Sequence, residues 1–142
     1  MHWNNGDIYE GEWKNDKIEG KGVYYFNEES YKGDKYEGEW KNGHMDGKGI
    51  YYHKNRNRYD GDWKNCIKEG KGIYYYNLSP WIGDRYEGDW RNGLRDGQGI
   101  YCYNNGDREI GDYHNNKEIV YMFFLQEMAK LKLKIIKIIL NL

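Results

Sequence analysis

Tyr86-Glu87-Gly88-Asp89-Trp90, followed by Asp96-Gly97-Gln98-Gly99-Ile100-Tyr101, decides the fold, because the same phrase recurs along the chain. It stands also as Tyr9-Glu10-Gly11-Glu12-Trp13, as Tyr36-Glu37-Gly38-Glu39-Trp40 and as Tyr59-Asp60-Gly61-Asp62-Trp63, each followed at a fixed distance by Gly-x-Gly-x-Tyr. Self-similarity at such a period marks a chain of stacked supersecondary units. Starts at Tyr9, Tyr36, Tyr59 and Tyr86 give steps of 27, 23 and 27 residues. The units occupy residues 9–35, 36–58, 59–85 and 86–108, and a partial copy, Glu109-Ile110-Gly111-Asp112-Tyr113, fills 109–118. Residues 1–8 read as the remnant of a preceding unit, since Asn4-Asn5-Gly6-Asp7 matches Asn104-Asn105-Gly106-Asp107, and the chain then reads as a fragment of a longer array.

Inside a unit the period is two, so Tyr9, Gly11 and Trp13 share one strand face, and Gly20, Gly22 and Tyr24 share a face of the next strand. Pairing Tyr9 with Tyr24 sets Gly11 opposite Gly22 and Trp13 opposite Gly20, with Lys14–Glu19 closing a hairpin. The same arithmetic pairs Tyr36 with Tyr51, Gly38 with Gly49 and Trp40 with Gly47. It pairs Tyr59 with Tyr74, Gly61 with Gly72 and Trp63 with Gly70, then Tyr86 with Tyr101, Gly88 with Gly99 and Trp90 with Gly97. Glycine weakens a strand by itself. Here it leaves space for the Trp ring opposite, and the glycine pairs leave a slot for rings of the neighbouring unit. On the other face, Glu12, Glu39 and Asp62 fall opposite Lys21, Lys48 and Lys71, with Asp89 opposite Gln98 breaking the series. Glu10, Glu37, Asp60 and Glu87 fall opposite Val23, Ile50, Ile73 and Ile100.

The composition agrees with an all-β array. Among 142 residues, 16 Tyr, 6 Trp and 3 Phe must supply most of the core, and 19 Gly with one Pro favour tight turns. The net charge of −1 comes from interspersed signs, with no basic stripe before the tail, so no nucleic-acid partner is assigned. Cys66 and Cys102 sit at non-equivalent positions and form no disulfide framework, and Met1-His2-Trp3 opens no signal peptide; the array reads as cytoplasmic. The paired carboxylates recur in every unit, so they read as a structural ladder rather than a catalytic pair. His2, His44, His53 and His114 share no ligand spacing. No catalytic residue, no metal and no cofactor is assigned.

Two features remain for function. Trp3, Phe26, His53, Tyr76 and Tyr103 continue the aromatic face one row beyond the repeat tyrosines. Such a row suits a protein interface, and the competing reading is packing of unit on unit. The tail, residues 119–142, loses glycine and gains Ile, Leu, Phe and Lys. It reads as an amphipathic helix with Lys130, Lys134 and Lys137 on its polar stripe, too often interrupted by lysine to span a membrane. It caps the sheet or lies along it, rests on an anionic membrane surface, or docks on a second chain.

The phrase Tyr-Glu-Gly-Glu-Trp-x-Asn-Gly-x-x-x-Gly-x-Gly-x-Tyr resembles the MORN repeat (membrane occupation and recognition nexus) across roughly residues 1–118. The resemblance implies β-hairpins stacked into one elongated, twisted, groove-shaped antiparallel sheet. It implies a non-enzymatic role: scaffolding of protein partners, homodimerisation, or attachment to the inner membrane surface or the cytoskeleton. MORN arrays also occur as regulatory parts of lipid kinases and methyltransferases, but this chain carries no catalytic segment of that kind. Two longer linkers, Asn27–Lys35 and Asn77–Arg85, depart from the pattern and are expected to bulge from one edge of the sheet.

Overall fold

A computed structural model describes residues 1–119. The strands are β1 (Ile8–Lys14), β2 (Lys17–Tyr25), β3 (Lys35–Lys41), β4 (His44–Tyr52), β5 (Arg58–Lys64), β6 (Ile67–Tyr75), β7 (Arg85–Arg91), β8 (Leu94–Cys102), β9 (Arg108–His114) and β10 (Lys117–Glu118). They form one open 10-stranded antiparallel sheet in which every strand pairs with its neighbours in sequence. The expected C-terminal helix, with Lys130, Lys134 and Lys137, lies outside the described residues.

The expected register holds along half of each hairpin and then shifts. Tyr9 faces Tyr24 and Gly11 faces Gly22, but Trp13 faces Ile18 rather than Gly20. Trp40, Trp63 and Trp90 likewise face Met45, Lys68 and Arg95. Two local causes produce the shift. The strands run on to a two-residue turn, Asn42-Gly43 or Asn92-Gly93 for example, whose residues all have positive φ, as the tight hairpin turn with matching twist requires. The surplus residues then leave the ladder as a bulge at the first glycine, where φ is +76° at Gly20 and +105° at Gly47. That glycine is needed for its backbone angle, because φ in this range strains any residue with a Cβ. The turn therefore replaces the expected Lys14–Glu19 loop.

Between hairpins the register is unbroken, and here each bulge glycine meets a Trp. Gly20 faces Trp40, Gly47 faces Trp63, Gly70 faces Trp90, and Gly97 faces Tyr113 of the partial unit. The Trp–Gly pairs thus join neighbouring units. The indole N–H of Trp40, Trp63 and Trp90 donates to the carbonyls of Gly22, Gly49 and Gly72 at 3.3, 3.1 and 3.1 Å.

The second glycine of each pair has a different task. Gly22, Gly49, Gly72 and Gly99 lie beneath the rings of Tyr9, Tyr36, Tyr59 and Tyr86, and a Cβ at any of them would collide with that ring. These four tyrosines have no exposed surface. The slot formed by the glycine pairs is therefore filled by the tyrosine of the same unit, not by a neighbour's ring. Each hydroxyl donates to the carbonyl three residues on, Tyr36 to Glu39 at 3.0 Å for instance. Tyr9, Tyr36 and Tyr59 also stand edge-on between two indoles, as Tyr36 does between Trp40 and Trp63 at 5.0 and 5.4 Å, and Tyr86 stands between Trp90 and the phenol of Tyr113. Among the described residues there is one layer, and the core is this stripe of rings, joined by Ile18 and Met45.

The charged ladder also runs between hairpins. Lys48 pairs with Asp62 at 2.5 Å and Lys71 with Asp89 at 2.6 Å. Within a hairpin, the carboxylates of Glu12, Glu39, Asp62 and Asp89 instead accept the backbone N–H of Lys21, Lys48, Lys71 and Gln98. Asp89 is therefore not the odd member of its series, since it has both its backbone donor and a lysine.

Candidate interaction face

The linkers position the aromatic rows. In the short form, Trp3–Asp7, His53–Asn57 and Tyr103–Asp107 share the same pair of backbone hydrogen bonds, at 2.8–3.1 Å. In the long form, Phe26–Asp34 and Tyr76–Asp84 share another set, with Tyr31 and Trp81 at equivalent places. The long linkers leave Tyr31, Leu78, Trp81 and Ile82 about half exposed.

The first four linkers end on a buried polar residue, Asp7, Asp34, Asn57 or Asp84, whereas Asp107 of the last is exposed. The buried side chain ties the next hairpin down. The hydroxyls of Tyr24, Tyr51 and Tyr101 donate to Asp7, Asp34 and Asp84 at 2.8, 2.8 and 2.9 Å. The other carboxylate oxygen accepts the backbone N–H of Asn27, Lys54 or Asn104. In the third copy Asn57 donates to Tyr74 Oη at 3.1 Å and accepts from Asn77 N. Burial, and then the bonded carboxylate, raises the pKa of Tyr24, Tyr51 and Tyr101 above the usual value. These anchors went unread in the sequence, although an Asp or Asn two residues before each repeat tyrosine was the available signal.

On this footing the expected row becomes one continuous ladder of rings. It runs Trp3, Tyr24, Phe26, Tyr51, His53, Tyr74, Tyr76, Tyr101, Tyr103, with successive centroids 4.6 to 6.1 Å apart. Contacts of this length are attractive beyond the area they bury. Trp3, Phe26, His53, Tyr76 and Tyr103 are all half-buried, so each has one side on the ladder and one toward solvent. Burial, with Lys68 nearby, lowers the His53 pKa and keeps its ring neutral near pH 7.

The residues opposite the indoles complete this face, and their role was also missed, because the expected turn enclosed them. They change along the array from Ile18 and Met45 to Lys68 and Arg95. A cavity of about 360 Å³ beside Met45 is walled by Phe26, Tyr31, Tyr51 and Trp63. Lys68 lies among the rings of Tyr59, Tyr74 and Trp90, and burial lowers its pKa to about 8.

A further depression, of about 1020 Å³, lies on the opposite face. Asp60, Ile73, Glu87, Ile100 and Ile110 line it, with Lys48 and Lys71 at its side. This depression is thus acidic and aliphatic.

No curated protein matches the chain. The MORN repeat matches at residues 9–30, 36–58, 59–77 and 86–108, together more than half of the 142 residues. Four hairpins in one sheet, each carrying the buried Tyr and the paired glycines, with Trp40, Trp63 and Trp90 meeting the preceding unit, form the structural counterpart of those matches, and the chain belongs to the MORN repeat family.

Proposed function

We propose that this chain is a non-enzymatic scaffold that holds a protein partner, or a second copy of itself, against its aromatic face. The observation that carries the reading is the ladder from Trp3 to Tyr103, half open along its length on a sheet of one layer. Large rings lose little conformational freedom on binding and combine an apolar body with a polar tip, which is why Tyr and Trp dominate interface anchors. Hydrogen bonds donated to Asp7, Asp34 and Asp84, and one donated by Asn57, fix the tyrosines in advance, so little ordering cost remains for the bound state. The free thiols of Cys66 and Cys102 support a cytoplasmic site of action.

The test is affinity capture from the native cell with the wild-type chain and with Phe26→Ser/Tyr76→Ser/Tyr103→Ser. The wild type retains a protein that the triple variant loses while both give the same far-ultraviolet spectrum. Identical captures by the two chains end the reading. Light scattering during size exclusion separates a second copy from a foreign partner.

A second reading, peripheral membrane attachment, rests on Lys130, Lys134 and Lys137 within an aliphatic tail. Co-sedimentation with anionic vesicles, with and without residues 119–142, decides it. Failure of the full chain to sediment rejects it.

A further inference from the structure

The cations on the two faces of the sheet have different surroundings. On the charged face Lys48 and Lys71 are paired with Asp62 and Asp89. On the aromatic face, Lys68 and Arg95 make no ion pair among the described residues. Lys68 Nζ lies 4.7 Å from the ring centre of Tyr74, 5.1 Å from Trp90 and 5.2 Å from Tyr59. The Arg95 guanidinium lies 5.2 Å from the rings of Tyr86 and Tyr113, and its Nη2 donates to the Asn116 carbonyl at 2.7 Å. Further N–H donors of the guanidinium remain for another acceptor. Both cations line one cavity of about 330 Å³, walled by Tyr74, Tyr76, Trp90 and Asn116.

The carboxylates of the neighbourhood are committed elsewhere or stand apart. Asp84 is bonded to Tyr101 and Asn104, and Asp34 to Tyr51 and Lys54. Glu109 and Glu118 line the adjoining cavity, which Arg95 also lines, but neither forms an ion pair with Arg95, and Glu109 is hydrogen-bonded to Tyr103. Ring faces attract a cation but offer no strong hydrogen-bond acceptor. An arriving carboxylate supplies one, in a half-dry cavity where a charge-assisted bond is stronger than in water.

We propose that the cavity between Lys68 and Arg95 receives an aspartate or glutamate side chain of an extended partner segment. The same segment places an apolar side chain in the cavity beside Met45, one unit away, and lies across His53 and Tyr76 between the two. This deepens the scaffold reading and rests on it. The array then has a direction for its partner: an apolar end toward Ile18 and Met45, an acidic end toward Lys68 and Arg95. The single ammonium and single guanidinium match one carboxylate, and the flanking ring walls suit its aliphatic stem and neighbours.

The experiment is selection of linear peptides from a random display library on the full-length chain, on Lys68→Met/Arg95→Met and on Lys68→Arg/Arg95→Lys. Methionine is the residue of the second unit at this position, so it suits the hairpin, and a thermal melt checks folding of both variants. The wild type and the charge-conserving variant enrich Asp or Glu beside apolar residues. The methionine variant still selects peptides but loses the acidic preference, and it binds a wild-type-selected peptide at least about tenfold more weakly. Peptides without acidic preference on the wild type, or equal binding of the acidic peptide by the methionine variant, overturn the inference and leave the scaffold reading standing. Absence of any selected peptide on all three chains overturns both. Vesicles of phosphatidylserine and phosphatidylcholine form a control arm. Loss of vesicle binding by the methionine variant with unchanged peptide selection assigns the cations to a lipid headgroup and overturns the proposal.

Discussion

Trp63 stands across from Gly47 of the preceding hairpin, not from Gly70 of its own, and its indole donates to Gly49 at 3.1 Å. The residue that labels a unit in the sequence therefore completes the unit before it. Stability of this array resides at the joints between hairpins, as nearest-neighbour coupling in a repeat protein requires.

Replacing Trp63 by Ala removes a buried ring from such a joint and is expected to cost about 3–5 kcal/mol. Trp13 has no complete hairpin before it and is 40% exposed, with Trp3 at 6.3 Å as its cover. Trp13→Ala should cost less, about 1–2 kcal/mol. Urea unfolding of both variants compares them directly, and equal losses would contradict the inter-unit role.

The two glycines of one unit should respond differently to alanine. At Gly72 the added methyl meets the Tyr59 ring inside the core, an overpacking expected to cost about 1–3 kcal/mol or more. At Gly70 the added methyl meets only the Asp62 side chain, nearest at its carboxylate end, at 2.8 Å, and the main obstacle is the positive φ of +72°, worth roughly 1 kcal/mol for alanine and less for asparagine, which tolerates that region. The expected order of melting temperatures is wild type, Gly70→Asn, Gly70→Ala, Gly72→Ala. A Gly70→Asn chain less stable than Gly72→Ala would disprove the assignment.

Asp84→Ala strands the Tyr101 hydroxyl and the Asn104 N–H and is expected to cost about 1–3 kcal/mol. Asp84→Asn should cost much less, because Asn57 already performs this task in the third copy. A double-mutant cycle with Tyr101→Phe measures the coupling. Strict additivity would show that the bond contributes nothing.

Alkaline pH should unfold the sheet through its tyrosines. Burial holds Tyr36, Tyr59 and Tyr86 above their ordinary value of 10.0, and Tyr24, Tyr51 and Tyr101 are shifted the same way by burial and their carboxylates. Above about pH 10 the unfolded chain releases protons that the folded chain keeps, so stability is full below that pH and falls as pH rises through the folded values. Lys68 acts oppositely, because its folded pKa of about 8 lies below the ordinary 10.5. Between those values the unfolded chain binds more protons, and stability rises with pH. Urea midpoints from about pH 7 to 11 should rise slightly and then drop, and Lys68→Met should remove the rise alone. A midpoint that stays constant beyond about pH 10.5 would show the tyrosines are not buried as described.

Much of this arrangement was legible because it is periodic. Tyr9 with Tyr24 and Gly11 with Gly22 follow from alternation alone. The shift beyond Gly11 was not legible from alternation, because a bulge is a backbone angle and alternation carries only side-chain parity. Its signal was the dipeptide Asn42-Gly43 and Asn92-Gly93, which demands a two-residue turn. The error mattered for the site: a six-residue turn hides Lys68 and Arg95, whereas the shifted register sets them opposite Trp63 and Trp90 on the aromatic face. Asp7, Asp34 and Asp84 were visible as linker residues, but a carboxylate in a turn and a carboxylate bonded to a tyrosine look alike in one dimension.

Each joint takes a bulge glycine from one hairpin and an indole or phenol from the next, Gly20 with Trp40 through to Gly97 with Tyr113. The sheet accordingly has a front and a back, and the two ends are not interchangeable. Short and long linkers alternate, so Tyr9 and Tyr59, 50 residues apart, occupy corresponding positions of a larger repeat. Duplicating one such 50-residue block would preserve the alternation of short and long linkers. The molecule is a ruler that evolution can lengthen or shorten by whole marks, and the graded change from Ile18 to Arg95 numbers them.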